Sequence, residues 1–368
     1  MVNIKKKIII IHPALAPYRL DFFNKINDKS DCKILFFRKK LDKFFDQKFL
    51  TNNINFKPIY LTKGIKIFKR DIKFGLLKIL IREKPEIIIS SEFGYGTLIS
   101  IFYKKFFFKK NIKIYILSDE NINLFNQRSF LRLMTLKLCV NLVNGLILTH
   151  RHQEIKYFNK FKKIYLPIIH DEVKFKKKIM DSKISSNKIF NKYKLKNFKI
   201  ISYVGRLEEE KNLLFLIKNF NKIKINNLCL FIVGYGSQLK KLKKIAKNNY
   251  SNNRIIFTGK LQGNNLHVIY NLTQILILPS KYELFGAVVP EALMSGCKVL
   301  VSNKVGSKFL INNMSKGAIF NINSKVDFVN KFSFLIKKIK PKKNVNTKKD
   351  LLNFNFNKMV EKLLVKIN

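Results

Sequence analysis

Two carboxylates, Glu283 and Glu291, stand eight positions apart in "SKYELFGAVVPEALMSGCKVLVSN" (280–303), on either side of a Phe-Gly turn. Only 23 of the 368 residues are acidic, so two at one strand-to-helix junction ask for a reason. A carboxylate accepts two hydrogen bonds from a vicinal diol, and a pair of them suits a ribose and a second sugar. Upstream, "YVGRLEEEKN" puts Arg206 directly after the strand-ending Gly205, and Lys211 just before a helix with Asn212 at its N-cap position. Two cations beside backbone N–H groups make an anion site, with a diphosphate as the natural occupant. Plainer alternatives stand beside both readings. Arg206 can pair with Glu208, Glu209 or Glu210 on the surface, and Glu291 can serve only the dipole of its helix. "IVGYGSQLKKL" (232–242) has a Gly-x-Gly but lacks the third glycine of a dinucleotide fingerprint, so it reads as a tight turn into a helix.

The elements that must position these groups follow from hydrophobic patterning. Short apolar runs at 7–12, 32–37, 86–90, 112–118, 146–150 and 163–167 alternate with stretches of helical spacing such as "YRLDFFNKIND" and "FGLLKILIREK". The alternation restarts at 198–206, 228–234, 253–259, 274–280, 298–303 and 317–322. Continuous apolar strands of this kind belong to parallel sheets covered on both faces by crossover helices. The expected fold class is α/β. Residues 1–173 form one Rossmann-like domain, the lysine-rich stretch 174–197 a connection with a short helix, and 198–345 a second Rossmann-like domain. Residues 346–368 hold a final amphipathic helix. Ligands in such sheets bind beyond the carboxyl ends of strands.

Composition limits the partners. Lys and Arg number 73, giving a formal charge of +50. That balance favours nucleic acid or an anionic bilayer. Only nine of the 73 are Arg, however, and the lysines are spread along the whole chain. Nucleic-acid binders lean on Arg for bidentate contacts, so nucleic acid is not expected as a partner. Abundant Lys, Asn, Ile and Phe with no Trp points to AT-rich codon usage as the main source of the charge. Cys32, Cys139, Cys229 and Cys297 form no CxxC pair, which argues against a zinc site and for a reducing cytoplasm. No apolar run approaches the 18 residues of a spanning helix, and the apolar part of "MVNIKKKIIIIHP" is too short for a signal peptide. In "YKKFFFKKNIK" (103–113) aromatic and basic residues alternate as interfacial anchors do, or as a partly buried helix end does.

The second half resembles the nucleotide-sugar-binding domain of glycosyltransferase family 4, the retaining enzymes with the GT-B fold. Four segments carry the resemblance in order: "YVGRLEEEKN", "LFIVGYGSQLKKLKKIA", "RIIFTGKL" and "PSKYELFGAVVPEALMSGCKVLVSN". In the first half "IIHPALAPYRLDFFNKI" resembles the entry loop of members with Pro-Tyr-Arg after the first strand, and "YLPIIHDEVKF" the end of the domain. The resemblance implies two Rossmann-like domains facing across a cleft, with the C-terminal helix crossing back to the first. It implies transfer of a sugar from a nucleotide-diphosphate sugar to a glycan or lipid-linked acceptor in surface polysaccharide or lipopolysaccharide synthesis. By the same resemblance Arg206 and Lys211 bind the diphosphate and Glu283 contacts the donor sugar. Glu291 holds the ribose, Phe285, Gly286, Ala287 and Val288 offer backbone donors, and Gly205, Lys260 and Leu261 complete the donor site. No metal or cofactor is expected, and the chain has no Asp-x-Asp.

The sequence departs from the family on the acceptor side. "HPALAPYR" lacks a glycine pair, and Ser118, Asp119 and Glu120 stand where a His is usual. Acceptor-side candidates are therefore Arg19, Asp119, Glu120 and His12. A cytoplasmic enzyme on the inner face of a membrane is the expectation. A non-catalytic GT-B scaffold subunit and a basic nucleic-acid-binding protein are the alternatives.

Overall fold

The structure is a computed structural model that describes residues 6–39, 47–67, 70–107, 111–119, 130–149, 156–221, 223, 225–247 and 253–368. The chain divides into two units. One combines Met1–His170 with Asn355–Asn368, and the other is Asp171–Phe354.

The first unit is built on a parallel sheet. Its strands are β1 (Lys7–His12), β2 (Asp31–Phe36), β3 (Ile59–Tyr60), β6 (Ile87–Ser91), β7 (Lys113–Ser118), β8 (Gly145–Leu148) and β9 (Lys163–Tyr165). Their order is β3-β2-β1-β6-β7-β8-β9, so the winding reverses between β1 and β6. Ile8, Ile9, Ile10 and Ile11 of β1 are all buried, which is why this strand reads as an unbroken apolar run. Helices α1 (Leu20–Lys29), α2 (Gln47–Thr51), α3 (Leu76–Glu83), α4 (Tyr95–Phe106) and α5 (Phe130–Cys139) belong to this unit. Glu83 is buried at the end of α3 and takes Lys33 Nζ at 2.5 Å, with Lys7 and Arg82 beside it. The Lys33 bond chiefly holds its carboxyl down at about 2. A small antiparallel hairpin, β4 (Gly64–Ile67) with β5 (Arg70–Lys73), was not expected, because its residues carry no continuous apolar run.

The C-terminal helix, Phe356–Ile367, buries Phe356, Val360, Leu363, Leu364 and Ile367. That i, i+4, i+7, i+8, i+11 spacing is one helical stripe. It packs in the first unit beside α1, with Lys29 3.8 Å from Glu361. Lys6 and Lys113 both donate to the carbonyl of Asn368, matching cations to the negative end of the helix.

The second unit holds β10 (Lys199–Val204), β11 (Leu228–Val233), β12 (Arg254–Gly259), β13 (Ile275–Leu278), β14 (Lys298–Ser302) and β15 (Gly317–Phe320). All pairs are parallel in the order β12-β11-β10-β13-β14-β15, with the reversal between β10 and β13. Residues 174–197, expected as a connection with a short helix, lie in two helices, α6 (Glu172–Asp181) and α7 (Lys183–Lys192), and the turn after them. Asp171 caps α6 by accepting from Val173 N and Lys174 N at 3.0 Å each. Both helices pack on α10 (Asn264–Leu272), where Asn271 Nδ2 donates to Ile179 O and Ser182 Oγ. Helix α8 (Leu213–Phe220) packs with α9 (Leu239–Ala246), and its Phe215 meets Phe320 and Phe328, the latter from α12 (Lys325–Lys337). Helix α11 (Val288–Met294) has Pro290 in its first turn, where a missing N–H costs little. The α/β class and the two Rossmann-like sheets are thus as expected. No described helix is long and apolar enough to cross a membrane.

Candidate functional site

The candidate groups of the second unit gather at the edge where its strands end. Strands β10 and β13 are neighbours, so the loops leaving them start side by side. Tyr203, in β10, is fully buried, and its phenol donates to Arg206 O at 2.6 Å, folding the exit loop back over the strand. The Gly-x-Gly segment latches onto that loop. Gly234 N donates to Gly259 O and Gly205 N to Val233 O, while Leu207 exchanges bonds with Tyr235 O and Gln238 N. Gly234 has φ 145°, and an added Cβ would lie 1.8 Å from Gly205 O, so only glycine allows this approach. Glu208 secures the same corner by accepting from Ser237 N and Oγ, bonds that lower its carboxyl's pKa.

Lys211 and Glu283 come together. Lys211 sits in a short 3₁₀ turn, Glu209–Lys211, and its Nζ donates to Glu283 Oε2 at 2.5 Å. Both side chains are mostly buried, at 10% and 19% exposure. Asn212 occupies the N-cap position of α8 in the left-handed region, without a side-chain cap bond. Arg206 takes the plainer of its two alternatives, pairing with Glu210 at 3.0 Å. That pair is 45% and 37% exposed, so water screens it and a better-charged partner can displace it. Arg206 and Glu283 both act electrostatically on the Tyr203 phenol, which puts them around one point.

The loop after β13 is stitched to the segment after β14. Glu283 bridges to Val305, Gly306 N donates to Glu283 O, and Ser307 N donates to Phe285 O at 2.7 Å. Phe285 is 4% exposed and its ring meets Phe309, so its side chain belongs to the core. Gly286 has φ 86°, the left-handed turn that lets α11 begin. Ala287 is the N-cap of α11 and Val288 its first residue, where N–H groups have no intrahelical acceptor. Glu291 lies in that first turn and accepts from Tyr270 Oη at 2.5 Å. Burial first, and Glu291 second, push the Tyr270 phenol far above its ordinary pKa, so it stays a donor. Lys260 and Leu261 follow β12, the outermost strand at the same edge.

Sequence reading missed Tyr203, Tyr270 and the Glu208–Ser237 clasp. A tyrosine inside an apolar run gives no sign of what its hydroxyl will meet. Among the described residues, no cluster of three or more His, Cys, Asp or Glu could hold a metal ion.

In the first unit Arg19 Nη2 donates to Asp119 Oδ1, and the Arg19 side chain is only 1% exposed. It therefore begins a helix and closes an ion pair at once. The two residues lie just past β1 and β7, at the strand-end edge. His12 is enclosed: Nδ1 donates to Ala14 O at 2.8 Å and the ring meets Phe23 and Phe36 edge-on. Burial, and then the Arg19 charge, lower its pKa to about 4, so it is neutral at pH 7. Burial and Asp119 raise nearby Tyr18 to about 12. Glu120 lies outside the described residues.

Comparison with known proteins follows this division. Residues 185–350 match the family described as glycosyl transferases group 1. An uncharacterized glycosyltransferase of Methanocaldococcus jannaschii is 32% identical over 120 residues, 32% of this chain and 31% of that protein. A GDP-mannose-dependent alpha-mannosyltransferase of Corynebacterium glutamicum is 31% identical over 130 residues, 35% of this chain and 29% of that protein. The matched stretch thus spans about a third of the length of these curated relatives. A solved glycosyltransferase from Rickettsia africae superposes with a TM-score of 0.71 at 16% identity, covering 99% of this chain and 98% of that one, which shows a shared GT-B fold. The family match is thus carried by residues 185–350, a little under half of the chain.

Proposed function

We propose that the protein is a retaining, family 4 glycosyltransferase that moves a sugar from a nucleotide-diphosphate sugar to a glycan or lipid-linked acceptor, in surface polysaccharide or lipopolysaccharide synthesis. In this reading the bond between the anomeric carbon and the diphosphate breaks on the face where the acceptor oxygen arrives. The acceptor proton leaves with the nucleoside diphosphate. Arg206 and Lys211 meet the charge growing on the leaving diphosphate, in place of a metal ion. Glu283 contacts the donor-sugar hydroxyls, and Glu291, oriented by Tyr270, holds the ribose diol.

The observation that carries the reading is the Lys211–Glu283 contact at adjacent strand exits, beside the loosely paired Arg206, inside the segment that matches the family. Arg19 and Asp119 remain the acceptor-side candidates by their place at the strand ends of the first unit. The enzyme is read as cytoplasmic, on the inner face of a membrane. Phe102, Phe106 and Phe107 are exposed at the end of α4 beside Lys104 and Lys105, and suit contact with an anionic bilayer.

A panel of nucleotide sugars tests the donor half. The right donor at 100 times its dissociation constant stabilises the fold by about 2.7 kcal/mol. Arg206→Ala and Glu291→Ala each weaken nucleotide binding while the protein stays folded. Unchanged affinity in both, or no stabilisation and no transfer across the panel, would overturn the assignment.

A further inference from the structure

We propose that the second unit carries a binding site for a compact polyphosphate anion, in a lysine-lined cavity at the edge where its strands begin. The cavity measures about 580 Å³ and is lined by Lys298, Lys340, Lys342, Lys343 and Lys348, with no acidic residue in its wall. That volume is in the range of small-molecule sites. Its wall includes Gln274, just before β13, and Lys298, which opens β14. It therefore sits at the opposite end of the strands from the donor candidates, about a strand length (~15 Å) away.

Backbone carbonyls hold three of the five ammonium groups in place. Lys342 Nζ donates to Asn271 O and Leu272 O, at the C-terminus of α10. Lys348 Nζ donates to Tyr270 O, Thr273 O and Cys297 Sγ. Lys298 Nζ donates to Met314 O and Ser315 O. An ammonium has three N–H groups, so these bonds leave a third donor on Lys342 and on Lys298.

Capping α10 accounts for the placement of Lys342 and Lys348. It does not account for the charge, since a helix C-terminus offers about half a negative charge against a wall of five lysines. Lys342 is 8% exposed, and burial first, then the neighbouring Lys348, lower its pKa to about 7. A multiply charged anion would offset the repulsion between Lys342 and Lys348. Lysine suits phosphate as a point charge, and a concave wall of one sign focuses its field on the ligand. The phosphate can come from a soluble polyphosphate or from a lipid headgroup.

Isothermal titration of the full chain with inorganic pyrophosphate, at fixed ionic strength, reads the site. Saturable binding is expected, with one component at this cavity beside any at the donor edge. Lys340→Gln with Lys343→Gln, both on the exposed rim, should weaken it by about tenfold. Lys240→Gln with Lys243→Gln, exposed on α9, is the charge-matched control and should change it by less than about twofold. Arg206→Ala should remove only pyrophosphate bound at the donor edge and leave the component lost with Lys340 and Lys343 intact. Equal losses from the two lysine pairs would reduce the cavity to diffuse surface charge and overturn the proposal. Loss of all pyrophosphate binding in Arg206→Ala would assign it to the donor site instead and also overturn the proposal. Competition by phosphatidic acid vesicles would identify a headgroup, and its absence a soluble phosphate; either result keeps the cavity as the site. The donor reading is judged on nucleotide sugars, so it stands or falls separately.

Discussion

The two sheets finish their strands in different chemistry. In the second unit the exits of β10 and β13 carry the mostly buried Lys211–Glu283 pair and, outside it, Arg206 with Glu210, 45% and 37% exposed. In the first unit the exits of β1 and β7 carry Arg19, 1% exposed and locked to Asp119, and His12 boxed between two phenylalanines. One edge keeps an outer cation, Arg206, available for exchange with a ligand, while the other has Arg19 buried in its own core. The family match covers 185–350 and stops short of the first sheet, which shares only the fold with its neighbours. A common scaffold can therefore hold one site while the other varies.

The largest effect should come from Lys211→Met. Losing a cation that faces the leaving group costs about 10²–10³ in turnover, measured with the donor found in the panel. Wild-type turnover would erase the contrast between the edges. The next concerns pH. His12 has a folded pKa of about 4, depressed below the ordinary 6.5, so the unfolded chain binds the proton first as pH falls. Its stability contribution is fully present above pH 6.5 and is lost between there and pH 4, by about 3 kcal/mol in all. Chemical denaturation of His12→Gln at pH 7.5 and 4.5 should show a shallower fall than wild type. A parallel fall would show that His12 is not the enclosed group.

Smaller still, Arg19→Met should destabilise by about 2 kcal/mol, because Asp119 keeps partial access to water. Nucleotide affinity should not change. A matching loss of affinity would mean that the first-unit edge takes part in donor binding, against the division drawn above. Tyr270→Phe should cost only about 1 kcal/mol, or roughly fivefold in nucleotide affinity, by removing one hydrogen bond to Glu291. An unchanged affinity would leave Tyr270 a packing residue.

Strands buried on both faces were the most legible elements, since the Ile8–Ile11 run and "LCLFIV" admit few other readings. The β4–β5 hairpin was not, because two-stranded ribbons bury little and leave a weak pattern. Helices α6 and α7 were hidden by lysines that cover their outer faces while Phe175, Ile179 and Phe190 turn inward. In the site, Lys211 and Glu283 could be named from type and spacing, but their direct contact depends on β10 and β13 being neighbours, which no local pattern states. The supporting phenols were invisible for the same reason: Tyr203 looks like core until its hydroxyl is followed to Arg206 O. Arg206 shows the reverse, a residue to which the sequence offers a diphosphate or any of three neighbouring glutamates and which in the structure pairs with Glu210.

The helix Phe356–Ile367 has a consequence for biosynthesis. It packs in the first unit, yet it leaves the ribosome only after all of Asp171–Phe354 has been made. At ~5–20 residues per second that interval is ~10–40 s. During it the nascent first unit waits with the seat for Val360, Leu363 and Ile367 uncovered, a natural target for a chaperone. The second unit has all its strands in hand before that helix emerges, so it can mature first although it is translated second.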